Sequence, residues 1–236
     1  VLEVPTMAVI SFVSPKGGVG KTTAAVLLAT QLARQADVVI IDADPNRPTE
    51  TWAKLPGKPG RLAVWSDINQ ENIIDKIDEA AGQVPFVIVD CEGTASLTVA
   101  YAIGQADLVI VPTQDSQLDA KQAARALGIV RTEAKRARRT IAHAVLLTRT
   151  NPAIRTRTLS HVTAELRDHG IDVFTTQLHE REAFRAIFSF GGSVETLDPG
   201  QVANTDKAQL NIKTYAAEVL HMLRGAGADA AMAEVA

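Results

Sequence analysis

The chain has 236 residues, 46% of them hydrophobic and 22% charged, with a formal net charge of −3. At ~150 residues per domain this length favours one large α/β domain, and no apolar run approaches the ~18 residues that a membrane span needs. The one cysteine, Cys91, excludes a disulfide framework or a multi-thiolate metal site within a single chain and fits a cytoplasmic protein.

In chain order, apolar and β-branched runs predict strands at Ala8–Ser14, Val38–Asp42, Leu62–Trp65, Phe86–Asp90, Leu108–Pro112, Ala142–Thr148 and Ile171–Thr175. Several are apolar throughout, as strands covered on both faces of a parallel sheet must be. Helical patterns fall between them at 21–35, 69–82, 96–105, 117–138, 156–169, 180–189 and 207–224. The alternation implies an α/β fold, a doubly wound and mainly parallel sheet of about seven strands that binds ligands at the carboxyl ends of the strands. One domain is expected over 1–224, followed by an Ala/Gly-rich tail at 225–236 that is expected to be disordered. The first residues, Val1–Met7, show no export signal, and none is expected.

The first strand runs into Ser14-Pro15-Lys16-Gly17-Gly18-Val19-Gly20-Lys21-Thr22-Thr23 and then into an apolar helix. Strand, glycine-rich turn and helix are the setting of a phosphate-binding loop. Backbone N–H groups converge at a helix N-terminus, and glycines let them approach an anion without a Cβ clash. Gly17, Gly18, Val19, Gly20, Lys21, Thr22 and Thr23 are the candidate nucleotide contacts. Lys21 is placed to reach the terminal phosphates, and Thr22 to offer its hydroxyl to Mg²⁺. The general pattern has glycine where this chain has Pro15, which lacks an N–H and fixes φ.

The additional lysine, Lys16, together with Gly-Gly-Val-Gly-Lys-Thr-Thr, resembles the deviant Walker A motif of the ParA/MinD ATPases. The resemblance implies ATP and Mg²⁺ as cofactors. It also implies an ATP-dependent homodimer in which Lys16 crosses to the partner's phosphates, so that Lys16 and Lys21 would both be catalytic. Without a second chain, Lys16 would simply be solvated.

Asp42-Ala43-Asp44-Pro45-Asn46 closes the second strand pattern and is similar to the family's Asp-x-Asp-Pro-Gln segment. By that resemblance Asp44 positions the attacking water and Asp42 supports the magnesium shell. Read alone, the segment is an ordinary strand-end turn. Phe86–Asp90 has the form of a Walker B strand, four apolar residues and then Asp90, a candidate to hold Mg²⁺ through water. The following Cys91-Glu92-Gly93-Thr94 would sense the γ-phosphate, with Cys91 itself a buried small residue and not a nucleophile. Thr148, Arg149 and Asn151 close the sixth strand and are candidate base contacts by resemblance.

Between Lys121 and His161, ten Lys/Arg against one acid give a segment of +9 on a chain whose remainder carries −12. At 100° per residue Arg125, Lys135, Arg136 and Arg139 fall within about 60° of Lys121, opposite an apolar stripe. Lys121, Arg125, Lys135, Arg136 and Arg139 therefore form a candidate face for sequence-independent DNA binding, with a basic helix that serves only solubility as the alternative. Ten aromatics in the whole chain, and no helix-turn-helix module, leave base-specific readout without support.

The resemblance covers Ala8 to about Leu223, with the lack of an N-terminal extension expected of a small ParA type. Asp42–Trp52 and His179–Phe184 are also similar to the VirC type, the accessory ATPase of T-DNA and conjugal transfer. The implied role is plasmid or DNA partition with a ParB-like partner, or accessory work with a DNA-transfer protein. A nucleotide-binding protein scaffold that hardly hydrolyses is a further alternative. The acidic Ala/Gly tail speaks against membrane attachment, and a cytoplasmic, nucleoid-associated location is expected.

Overall fold

A computed structural model describes residues 7–93, 96–114, 117–152, 157–168 and 170–234. Seven parallel strands form the sheet: β1 (Ala8–Phe12), β2 (Val38–Ala43), β3 (Leu62–Trp65), β4 (Phe86–Cys91), β5 (Leu108–Thr113), β6 (Ala142–Thr150) and β7 (Leu178–His179). Their spatial order is β3-β2-β4-β1-β5-β6-β7, and every paired neighbour is parallel. The chain leaves β1 toward one edge through β2 and returns past it to build the other edge from β5. This reversal opens a crevice at the carboxyl end of β1.

Alternation along the strands divides the core into two layers. Ile10, Phe12, Ile40, Phe86, Ile88 and Ile110 face one layer, while Val9, Val39, Ile41, Val87, Val89 and Val109 face the other. The first layer is covered by α1 (Lys21–Leu32), α2 (Pro48–Ala53), α7 (Glu182–Phe190) and α8 (Thr205–Glu234). The second is covered by α3 (Ile73–Ala81), α4 (Leu97–Gln105), α5 (Gln117–Ala137) and α6 (Arg157–Asp168). α1 is buried nearly all round, between sheet and α8, because its apolar residues are not confined to one stripe. Burial of Leu27 and Leu28 alone contributes about 1.5–3 kcal/mol per side chain. The start of α1, which follows the glycine-rich turn, is thereby anchored in the core.

Three local features differ from the sequence expectation. Residues 171–175 form no strand and make only an isolated bridge from Val173 to Val145. The seventh strand is Leu178–His179, joined to β6 across a register shift at Arg149, whose φ of 55° lies in the left-handed region and interrupts the ladder. α2 was not expected, since six residues are too short to show a helical period; Pro48 at its first turn starts it. α8 spans Thr205–Glu234, a longer helix than the one expected at 207–224, as its many alanines favour.

Candidate functional site

At the carboxyl end of β1 a cavity of about 810 Å³ opens between the glycine-rich turn, the loops after β2 and β4, and the β7–α7 segment. Gly17, Gly18, Gly20, Lys21, Thr22 and Thr23 form its floor. Gly20 precedes α1 at φ 91°, a left-handed conformation open to glycine at little cost, and it turns the first N–H groups of the helix toward the cavity. No acidic side chain occupies the first turn of α1, so its positive end is left for an outside anion. Lys21 is largely buried, and its ammonium donates to the Lys16 carbonyl at 3.4 Å across the turn.

Three neighbours brace the turn. The buried Thr148 hydroxyl donates to the Val19 carbonyl at 2.7 Å, and the Gln114 amide donates to the Gly18 carbonyl at 3.3 Å. Gly93 packs so closely that a Cβ there would stand 3.1 Å from the Gly17 nitrogen. Val19 is buried beneath the turn. Lys16 is half-buried and is not part of the cavity wall of its own chain.

The two strand-end carboxylates lie side by side, Asp42 on β2 in register with Asp90 on β4. Asp90 is fully buried, and burial pushes its carboxyl up to about 7 against the hydroxyls of Thr22 and Thr49, which favour the charged form. Thr49 donates to Asp90 Oδ2 at 2.9 Å, while Oδ1 has no hydrogen-bond partner among the described residues. Burial also raises Asp42, opposed by the backbone N–H groups of Glu50, Asp44 and Thr49. Asp42 Oδ2 accepts from Glu50 N at 2.8 Å, so this carboxylate holds the start of α2 and does not line the cavity. Asp44 does line it, and its Oδ1 accepts from both the backbone and the side-chain amide of Asn46 at 2.9 and 3.0 Å. Cys91 is buried, and burial raises its thiol well above the ordinary range, which makes it inert. Thr94 lies outside the described residues.

The far wall comes from a segment in which sequence reading found only similarity. Leu178, His179, Glu180, Arg181, Phe184 and Arg185 line the cavity opposite the turn. Arg149 pairs with Glu180 at 3.2 Å, and Arg185 pairs with both Glu180 and Glu182. His179 accepts or donates through Nδ1 to the Thr150 hydroxyl at 2.8 Å, and burial with the nearby Arg181 cation lowers its pKa. Of the three candidate base contacts, Thr148 and Arg149 line the cavity, whereas Asn151 is exposed outside its wall. The signal that could have found the far wall is Leu178–Arg185 itself, an apolar residue followed by alternating charge immediately before a helix.

The basic face is smaller than its helical wheel suggested. α5 ends at Ala137, Arg138 turns to φ 52°, and Arg139 leaves the helix. Its guanidinium donates to the carbonyls of Gly104 and Ala106 at 2.8 and 2.7 Å, closing the C-terminal end of α4. Arg136 pairs with Glu133 one turn back at 3.1 Å. Lys121, Arg125 and Lys135 remain exposed, and none of them makes an ion pair among the described residues.

The family profile described as VirC1 protein matches residues 7–223. The chain is 37% identical to Protein ParA of Rhizobium radiobacter over 218 residues, which cover 92% of this chain and 98% of that protein. Among solved structures, an McdA–ATP complex from Cyanothece matches with a TM-score of 0.74 at 17% identity, covering 91% of this chain and 97% of that one. The septum site-determining protein MinD complexed with Mg-ADP, from Pyrococcus horikoshii, matches with a TM-score of 0.68 at 17% identity, over 90% and 96% of the two chains. These likenesses establish the same fold. The chain belongs to the VirC1 family and to the same family as ParA.

Proposed function

We propose that the chain is a magnesium-dependent ATPase of the ParA type that dimerises on ATP, binds DNA without sequence preference in that state and serves DNA partition. The observation that carries the reading is the convergence of the braced turn, Lys21, Thr22 and Asp44 on one cavity large enough for a nucleotide, with the Asp90 carboxylate buried against the Thr22 hydroxyl. Lys21 needs only to exchange the Lys16 carbonyl for phosphate oxygens, and the first N–H groups of α1 supply the rest of the anion cradle.

The residues present fit a magnesium ion. A buried carboxylate oxygen without a partner and the Thr22 hydroxyl beside it are hard oxygen donors of the kind Mg²⁺ takes. Among the described residues no cluster of three His, Cys, Asp or Glu could hold a metal unaided, so the ion would arrive with the phosphates. Thr22 would hold it directly and Asp90 through water, with Asp42 acting only by keeping α2 in place. Once bound it would neutralise phosphate charge. Asp44, on the cavity wall, would orient the attacking water.

Lys16 stands outside the cavity of its own chain, which suits a contact with the nucleotide of a second copy. Lys121, Arg125 and Lys135 would meet DNA phosphates, and pairing two copies would double that charge and raise affinity by multivalency. The test is sedimentation and DNA retention with ATP, ADP and a non-hydrolysable analogue. Dimers and salt-sensitive DNA binding only with triphosphate support the proposal; single chains in every nucleotide state refute it.

The VirC1 profile match over 7–223 favours one second reading, an accessory ATPase that positions DNA-transfer complexes. Pull-down with a relaxase, compared with a centromere-binding protein, separates the two.

A further inference from the structure

The first turn of α2 serves both strand-end carboxylates with consecutive residues. Glu50 gives its backbone N–H to Asp42 Oδ2 at 2.8 Å, while Thr49 gives its side-chain hydroxyl to Asp90 Oδ2 at 2.9 Å. Thr49 is fully buried, 41 residues from Asp90 in sequence, and Pro48 and the left-handed Arg47 fix the chain that delivers it. The two carboxylates repel each other in register. Both oxygens of Asp42 are engaged, by Glu50 N and by Asp44 N, so Asp90 is the one of the pair that keeps an oxygen without a partner, and the donor on it decides where that oxygen lies. A carboxylate torsion is broad and roughly two-fold. With Oδ2 held from the α2 side, Oδ1 is the oxygen left without a partner.

We propose that Thr49 is a positioning residue for magnesium: by holding Asp90 Oδ2 it presents Oδ1 to the metal's water, and it ties metal binding to the seating of α2. The inference rests on the magnesium-nucleotide reading above. It separates two properties that a general weakening of the site would move together, because Thr49 does not itself line the cavity, whose wall its neighbour Pro48 reaches, and its hydroxyl is engaged with Asp90. Nucleotide affinity without metal should therefore be independent of it, and metal affinity in the presence of nucleotide should not.

The experiment compares wild type, Thr49→Val and Thr49→Ser by binding of a fluorescent ATP analogue, first in EDTA and then during a Mg²⁺ titration. Mn²⁺ replaces Mg²⁺ in a parallel series so that electron paramagnetic resonance counts bound metal directly. Loss of a hydrogen bond to a metal-site carboxylate commonly costs about 10-fold or more in metal affinity. Thr49→Val is expected to raise the Mg²⁺ and Mn²⁺ midpoints about 10-fold while leaving affinity in EDTA within about 2-fold; Thr49→Ser, which keeps the donor, is expected to restore the midpoints. Unchanged midpoints in a folded Thr49→Val protein overturn the proposal, as does an equal loss of affinity in EDTA. If Thr49→Val does not fold, Thr49→Cys, whose thiol is a weaker donor, carries the same test, and an unshifted midpoint is again decisive against it. A wild type that binds nucleotide with no response to metal overturns instead the reading on which the inference rests.

Discussion

The hydroxyl of Thr148 donates to the carbonyl of Val19 at 2.7 Å, a contact between residues 129 positions apart that fastens the end of β6 to the glycine-rich turn. The same oxygen lies 3.3 Å from the Thr113 carbonyl, so it bridges the turn to β5 as well. A residue expected to meet the nucleotide base is thus engaged in holding the turn. Thr148→Val keeps the shape and removes the donor, leaving the Val19 carbonyl unsatisfied at a cost of about 1–3 kcal/mol. The expected outcome is a lower unfolding midpoint together with weaker nucleotide binding, and no change in the preference for adenine over guanine. Denaturant melts and competition binding measure both; a change in base preference with unaltered stability would contradict the bracing role.

Gly93 is the corresponding contact from the β4 side. Its hypothetical Cβ would sit 3.1 Å from Gly17 N and 3.3 Å from Gly17 Cα, both backbone atoms of the turn. Gly93→Ala must therefore push the turn away by a few tenths of an ångström. Since the first N–H groups of α1 are aimed by that turn, a shift of this size should weaken triphosphate binding by about 10-fold through poorer hydrogen-bond geometry, with little loss of stability. Isothermal titration with ATP and a thermal melt on the same preparation decide it.

Arg139 and Lys135 should behave oppositely, although they lie four positions apart in one basic run. Arg139 closes the end of α4 with two charge-assisted hydrogen bonds to carbonyls, and Asp107 stands 4.0 Å away. Arg139→Ala is expected to destabilise the fold by about 1–3 kcal/mol. Lys135→Ala, on an exposed side chain, should leave stability within ~0.5 kcal/mol. If the basic face binds DNA, the triple change of Lys121, Arg125 and Lys135 to Ala should flatten the dependence of DNA affinity on salt by about three phosphate contacts. Filter binding over a salt series checks this, and an unaltered slope would remove the face from the proposal.

What could be read from the residues depended on whether the signal was local. The strand–turn–helix around Lys21 and the apolar runs ending at Asp42 and Asp90 are contiguous patterns, and the parallel fold with its crevice followed from them. Thr49 could not be found this way, because its role is defined by a partner on another strand and its helix is only six residues long. The contact of Arg139 with the end of α4 was not legible, because it is made by a residue just beyond the helix expected to 138 with carbonyls 35 and 33 positions away; Arg138 in the left-handed region directs the chain there. The segment His179–Phe184 stood out only by similarity, because its place on the far wall depends on long-range contacts such as the Arg149–Glu180 pair beside the register shift in β6.

The two carboxylates also make a pH prediction for the metal-free protein. Asp90, pushed up to about 7 by burial, holds a proton in the folded state at pH values where the unfolded chain, with its ordinary value near 3.8, has lost it. The folded state therefore binds more protons than the unfolded state between roughly pH 4 and 7, and stability must fall as pH rises through that window and level off above it. Asp42, raised by burial, acts in the same direction, whereas half-buried Glu50, lowered chiefly by its hydrogen bond with Lys54, acts in the opposite one. Asp90→Asn isolates the first group: its amide oxygen can still accept from Thr49 while carrying no charge. In EDTA, the variant's stability relative to wild type should climb from pH 4 to pH 7 in urea melts, and a difference that stays flat would show that Asp90 titrates near its ordinary value. Adding magnesium and ATP should reverse the ranking near pH 7, because the wild-type carboxylate then faces a cation that favours its charged form and the asparagine does not.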